Sequence, residues 1–305
     1  MSVTDRVVAV VGPTASGKSS LAFEIAQRLG SAEIVNGDSM QLYRGMDIGT
    51  AKTSAHERAQ LPHHLFDVLD VSQTASVAAF QRDARAVIAD CHARGVTPVL
   101  VGGSALYVRA VVDRLDFPGT DPAVRQRWAD ELVARGPEAL HAELARRDPA
   151  AAAQIIASND RRVVRALEVN ELTGEPFTAT MPGYDSIYPG LLMLGLEVPR
   201  DVLDVRLAER VDQMWADGFV DEVRGLLPAG IEDGRTASHA LGYQQILAFL
   251  RGELTEDEAR EATVTGTRKF ARRQDRLFRK DPRIHWLPHD ADDLVERALD
   301  VISRR

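Results

Sequence analysis

The stretch VVAVVGPTASGKSSLAFEIAQRL, residues 7–29, decides how this chain folds. The apolar run RVVAVV (6–11) reaches Gly12 without polar alternation, the pattern of a strand buried on both faces of a parallel sheet. Leu21, Ile25 and Leu29 then recur at helical spacing. Between strand and helix, Gly12, Pro13, Thr14, Ala15, Ser16, Gly17, Lys18 and Ser19 fit the G-x-x-x-x-G-K-[ST] phosphate loop in the setting it requires. The glycines let backbone amides curl round an anion, and the helix N-terminus adds partial positive charge. Lys18 adds a full charge, and the Ser19 hydroxyl can hold Mg²⁺.

Working outward, a second strand is expected at AEIVNGDSM (32–40), a helix over about 76–94, and a third strand at TPVLVGG (97–103). The helix carries Val77, Phe80, Ala84, Val87 and Cys91 on one face, and Gly95 stops it. This alternation predicts an α/β fold, a doubly wound parallel sheet of P-loop NTPase type. Past residue 113 no convincing strand remains. Pro122, Gly136-Pro137, Asp148-Pro149, Ser158-Asn159-Asp160 and Gly174 cut the segment into four short helices. GLLMLGLEV (190–198) then reads as a strand again. The expected organisation is a catalytic core of residues 1–112 and 191–305 interrupted by an all-helical insertion at 113–190. Long helices are expected to complete the core, the last of them basic.

Composition narrows the class. The chain has 305 residues, 45% of them hydrophobic, with no apolar stretch long enough to span a membrane. The start, MSVTDRVVAVVG, lacks a basic flank and a cleavage-site pattern, so it reads as a strand and not a signal peptide. The single cysteine, Cys91, falls on the helical apolar stripe and fits a reducing, cytoplasmic setting. The formal charge of −8 argues against a general nucleic-acid binder. Yet residues 268–283 gather eight basic side chains against two acidic ones, which is either a solvated helix face or a patch for a polyanion.

The phosphate loop alone suggests a nucleoside triphosphatase or a small kinase. A hydrolase of that class usually also ends an apolar strand in a metal-holding acid. Here TPVLVGG ends in Gly102-Gly103, which counts against hydrolysis. An acid does follow the second strand. The carboxyl ends of strands in a doubly wound sheet line one crevice, so Asp38 is expected to face the loop as a base or a metal ligand. Asp47 reads as a turn residue, as do His63 and His64, which have no partner at metal-ligand spacing.

GPTASGKS, DSMQLYRGMDIGTAK, HHLFDV, LVGGSALYVRA, NDRRVVRALEV, LGYQQ and TRKFARRQ stand in the order and spacing of the tRNA dimethylallyltransferase (isopentenyl-tRNA transferase) family, which the chain resembles. The resemblance runs from about residue 7 to 287, and its second block is more specific than the phosphate loop. It implies transfer of a dimethylallyl group from dimethylallyl diphosphate to N6 of adenosine 37, beside the tRNA anticodon. The loop then stabilises a leaving diphosphate with Lys18, its amides and Ser19-bound Mg²⁺. No acid is needed to position a hydrolytic water. Asp38 corresponds to the family's catalytic aspartate, while Thr14 and Arg210 would contact the diphosphate. The same resemblance implies tRNA contacts at Asp38, Ser39, Met40 and Gln41, at Ser104 and Arg125, and at Arg161, Arg162 and Arg165. It extends them over 239–244, with His239, Gly242, Tyr243 and Gln244.

Adenosine 37 must leave its stack to react, so the insertion and the basic helix are expected to grip the anticodon stem-loop. The chain departs from the family pattern in three places: Ser19 where Thr is common, Gln244 where Arg is frequent, and Leu277 in the region that often holds Trp. No zinc-finger cysteines follow, so the compact bacterial type, acting as a monomer, is expected. Two rivals share the loop. An adenylate isopentenyltransferase acting on free nucleotides would not need the insertion. A nucleotide-switched RNA-binding protein would leave Asp38 without a task.

Overall fold

Alternate residues of the first strand face opposite layers. In β1 (Arg6–Val11), Val7, Ala9 and Val11 join one apolar cluster while Val8 and Val10 join another. The computed structural model describes residues 6–177 and 183–304; the expectations for residues 1–5 and 178–182 lie outside the described residues. After β1 come α1 (Lys18–Leu29), β2 (Ala32–Asn36), α2 (Ala55–Gln60), β3 (His63–His64), α3 (Val77–Ala93), β4 (Thr97–Gly102) and α4 (Ala105–Val112). The insertion supplies α5 (Pro122–Arg135), α6 (Pro137–Arg147), α7 (Pro149–Ala152) and α8 (Asp160–Thr173). The core resumes with β5 (Gly190–Glu197), α9 (Arg200–Ala216), α10 (Phe219–Leu226), α11 (Tyr243–Leu250), α12 (Glu256–Phe278), β6 (Ile284–Pro288) and α13 (Leu294–Ser303).

Among the described residues six strands pair in parallel in the order β3-β2-β4-β1-β5-β6. From β1 the chain passes to β2 and β3 on one side, returns to place β4 next to β1, and then crosses to β5 and β6 on the other side, so the crevice at the carboxyl ends of β1 and β4 is the switch point of this doubly wound sheet. One face is covered by α3 and α4 through Phe80, Ala84, Ile88, Val108 and Val111. The other is covered by α1 and α13 through Leu21, Ile25, Ala298 and Ile302. No helix among the described residues is long and apolar enough to cross a membrane.

Two expectations change. The basic run does not close the chain: it covers the second half of α12 and the turn after it as far as Arg283, and β6 and α13 follow it. IHWLP is short, follows Pro282 and ends on Pro288, too little pattern to read as a strand from sequence. His63 and His64 form a two-residue strand beside β2 instead of a turn.

The chain divides into two compact units, Met1–Asp113 with Ser186–Arg305, and Arg114–Asp185. Asp113 and residues 186–190, expected in the insertion, therefore belong to the larger unit. Asp113 is buried there, paired with Arg109 at 2.7 Å and Arg283 at 2.6 Å, and the Ser186 hydroxyl donates to the Val112 carbonyl. The smaller unit has its own core, built on Trp128, Leu140, Leu144, Val163 and Leu167. Its helices start at the sequence's own punctuation: the Asp121 side chain caps α5, Gly136 precedes Pro137, and the Asp148 side chain caps α7.

Candidate active site

The phosphate loop ends at Gly17, which enters α1 at φ +93° with no side chain capping the helix. The first amides of α1 are thus left open for an anion. Within the loop Ala15 takes a positive φ of 62° and packs on Leu203, Leu207 and Ala271, while the Thr14 amide donates to Gln274 Oε1 at 2.9 Å. Lys18 leans back over the loop, its Nζ 3.3 Å from the Pro13 carbonyl. Burial pushes its ammonium down to about 8; Asp38 opposes that shift and Arg210 adds to it. Burial likewise lowers the Arg210 guanidinium, again against the pull of Asp38.

Asp38 is placed by a close approach of two strand ends. The Gly37 amide donates to the Val101 carbonyl at 2.7 Å, and a Cβ at Gly37 would stand 2.9 Å from that oxygen. One at Gly102 would stand 2.7 Å from the Gly37 oxygen, so both strand ends need glycine. Buried Asn36 then clamps the turn: its Oδ1 accepts the Asp38 amide at 2.8 Å, and its Nδ2 donates to the carbonyls of Asp38 and Leu65. The Asp38 carboxylate accepts the Met40 amide at 2.9 Å.

Thr14, Lys18, Ser19, Asp38, Gln41 and Arg210 line one cleft. Phe23, Ile34, Phe66 and Val101 give it an apolar side, and Thr50 and Thr53 add hydroxyls. Tyr107 lies close by and hydrogen-bonds Ser39; burial pushes its phenol up to about 12. Sequence reasoning singles out none of Phe23, Phe66, Tyr107 or Gln274 as a site residue. Phe66, Tyr107 and Gln274 stand within the HHLFDV, LVGGSALYVRA and TRKFARRQ blocks, the only signal that points to them.

The rest of the DSMQLYRGMDIGTAK block shapes itself. The Lys52 ammonium, 1% exposed, donates to the Tyr43 carbonyl at 2.7 Å and to Asp47 and Asp67 at 2.6 Å. Glu222 accepts the amides of Asp47, Ile48 and Gly49 and the Tyr243 hydroxyl. Gln41 donates to the carbonyls of Thr50 and Ala51. The shape of this loop is fixed by the buried Lys52 ammonium and the half-buried Glu222 carboxylate.

The expected tRNA contacts are placed unevenly. His239 and Gln244 are exposed, whereas Gly242 and Tyr243 are buried against Phe219. Ser104 is half-buried at the head of α4, and Met40 packs into the core beside α10 and α11. In the smaller unit Arg161 and Arg162 are exposed. Arg125 and Arg165 instead hold the buried Glu168 at 2.7 and 2.8 Å, and Arg165 also donates to the carbonyls of Pro118 and Gly119.

A second group of potential ligands, Glu33, His64 and Cys91, is an ion-pair network. Arg94 takes both Glu33 oxygens at 2.7 Å and His64 donates at 2.7 Å, holding the carboxyl down near 2. Burial and the Glu33 charge push the Cys91 thiol up to about 11, so it stays protonated at neutral pH.

A profile of the IPP transferase family matches residues 41–281. A tRNA dimethylallyltransferase of Thermobifida fusca is 62% identical over 300 residues, covering 97% of this chain and 94% of that protein. The crystal structure of a tRNA isopentenylpyrophosphate transferase from Bacillus halodurans superposes with a TM-score of 0.71 at 39% identity, covering 98% of this chain and 97% of that one. A eukaryotic dimethylallyltransferase acting on tRNA superposes with a TM-score of 0.80 at 27% identity, covering 99% and 80% of the two chains. With a P-loop-type sheet, an open helix N-terminus and Asp38 across the crevice, the chain belongs to the IPP transferase family.

Proposed function

We infer that this protein is a tRNA dimethylallyltransferase, moving the dimethylallyl group of dimethylallyl diphosphate to N6 of adenosine 37 and releasing diphosphate. The observation that carries the reading is the cleft in which Lys18 and Arg210, two desolvated cations, face the carboxylate of Asp38. The cations and the open amides of α1 stabilise charge that grows on a diphosphate as its allylic C–O bond breaks. The carbon, made electrophilic, forms its new bond to N6. Asp38 takes the N6 proton, which becomes acidic only as that bond forms. Phe23, Ile34 and Val101 supply an apolar wall suited to a five-carbon group. β4, the strand between β1 and β2, ends in Gly102-Gly103 and offers no acid for hydrolysis.

Mg²⁺ fits this donor set. The Ser19 hydroxyl is exposed at the mouth of the loop, and Mg²⁺ favours few protein oxygens together with water and phosphate. When bound it would neutralise charge on the diphosphate. In this reading Asp38–Gln41, Ser104, Arg161, Arg162, His239 and Gln244 meet the anticodon stem-loop. On the same reading the enzyme acts as a monomer in the cytoplasm, whose reducing setting suits its one free, buried thiol.

The test is incubation with labelled dimethylallyl diphosphate and either tRNA or free adenine nucleotides, followed by mass spectrometry of anticodon-loop fragments. Prenylated adenosine 37 with diphosphate release is expected. Label on free AMP, ADP or ATP, or hydrolysis without transfer, overturns the reading.

A further inference from the structure

We propose that Gln274 is a positioning residue that sets the phosphate loop for its diphosphate, a role that rests on reading the loop as a diphosphate site. Gln274 is 6% exposed on the inner face of α12, in line with Ala271 and Phe278, and its Oε1 accepts the Thr14 amide at 2.9 Å across 260 residues of sequence. That bond pins the peptide just ahead of Ala15. A residue with a Cβ at φ +62° is held there only by its surroundings, and Ala15 packs on Leu203 and Leu207 of α9 and Ala271 of α12. The α9–α12 pair thus braces two successive loop residues, one by a hydrogen bond and one by packing. The same α9 carries Arg210 into the cleft.

The room for the carboxamide is made by Gly103. A Cβ there would stand 2.7 Å from Gln274 Nε2, so Gly103 and Gln274 are complementary halves of one contact. Without the acceptor the loop is free to relax around Ala15, and the amides of α1 lose the arrangement an anion requires. The diphosphate half of the reaction suffers, and the tRNA half does not.

Full-length protein is tested with inorganic pyrophosphate as the probe of the loop and with both substrates in steady state. Gln274→Met keeps length and volume and removes the acceptor. The pyrophosphate Kd and the KM for dimethylallyl diphosphate should rise about fivefold to tenfold, with the tRNA KM unchanged. Gly103→Ala pushes on the carboxamide from the other side and should do the same. Gln274→Ala clears that space, so Gly103→Ala/Gln274→Ala should bind pyrophosphate no worse than Gln274→Ala alone. Unchanged pyrophosphate affinity in Gln274→Met, an equal rise in the tRNA KM, or additive effects in the double variant each overturn the proposal while the diphosphate reading survives. Failure of the wild-type protein to bind pyrophosphate removes both.

Discussion

The Tyr243 hydroxyl donates to Glu222 at 2.6 Å inside the core, where the same carboxylate gathers the amides of Asp47, Ile48 and Gly49. A residue expected on the RNA is part of the frame of the loop that carries Asp38. Burial and the Glu222 charge hold the phenol far above its usual range, so it remains a donor at any working pH.

Tyr243→Phe removes one hydrogen bond to a charged acceptor and leaves the ring in place. It should cost about 1.5–3 kcal/mol of stability, read by urea or thermal unfolding. The tRNA KM should not change. A raised tRNA KM at unaltered stability would place the hydroxyl on the RNA after all.

Lys18 yields a prediction with a pH signature. Its ammonium is pushed down to about 8 by burial, against 10.5 for an ordinary lysine. Below pH 8 the folded and unfolded chains both carry the proton, and the cost of burying the charge is fully present. Between pH 8 and 10.5 the folded state releases its proton first and the cost is relieved. Lys18→Met should therefore raise the thermal midpoint of the free protein at pH 7, with a gain that shrinks towards pH 10. Wild-type pyrophosphate affinity should fall as pH rises through 8, and Lys18→Arg should flatten that fall. Lys18→Ala should lose about 10²–10³ in turnover. A pH-independent affinity in the wild type would remove Lys18 from the diphosphate.

What is legible in the sequence is local. The phosphate loop, the apolar strand before it, and the Gly and Pro stops that cut the insertion into α5, α6, α7 and α8 act within a few residues of themselves. The parts that escape such a reading are made by distant partners. Gln274 meets Thr14 across 260 residues, and Glu222 meets Ile48 across 174. A basic residue's role depends on its neighbours in space. Arg283 belongs to the basic run in sequence, yet it is spent on Asp113 and Asp281 at 2.6 and 2.7 Å. Arg272 is half-exposed and holds Asp204.

The remaining charges of that run make the third prediction. Lys269, Arg273 and Arg276 are exposed at helical spacing along α12, with Lys280 just past its end and exposed Phe270 between them. Arg273→Glu and Arg276→Glu should weaken tRNA binding and lower the slope of log K against log salt by roughly one for each phosphate no longer neutralised. Affinity for dimethylallyl diphosphate should stay put. Arg283→Gln should instead lower stability, since it leaves Asp113, 1% exposed, short of a partner. An unchanged salt slope in the α12 variants would mean that this face is only solvated.

Asp38→Asn tests a role and not just a position. Asparagine keeps the size and can still accept the Met40 amide that the carboxylate holds at 2.9 Å, so the turn clamped by Asn36 should survive. It cannot take a proton. If Asp38 is the base for N6, single-turnover rate should fall by about 10²–10⁴. Pyrophosphate affinity should rise slightly, because the carboxylate that faces Lys18 and Arg210 no longer competes for their charge. If Asp38 serves chiefly as a metal ligand, pyrophosphate affinity should fall together with the rate, and added Mg²⁺ should restore part of both. The sign of the affinity change separates the two roles even where the rates drop alike. A variant with normal single-turnover rate and normal binding would falsify both, and the proton of N6 would then need another acceptor. The geometry favours the base: Asp38 faces the cations of Lys18 and Arg210, and β4 ends at Gly102 with no carboxylate of its own.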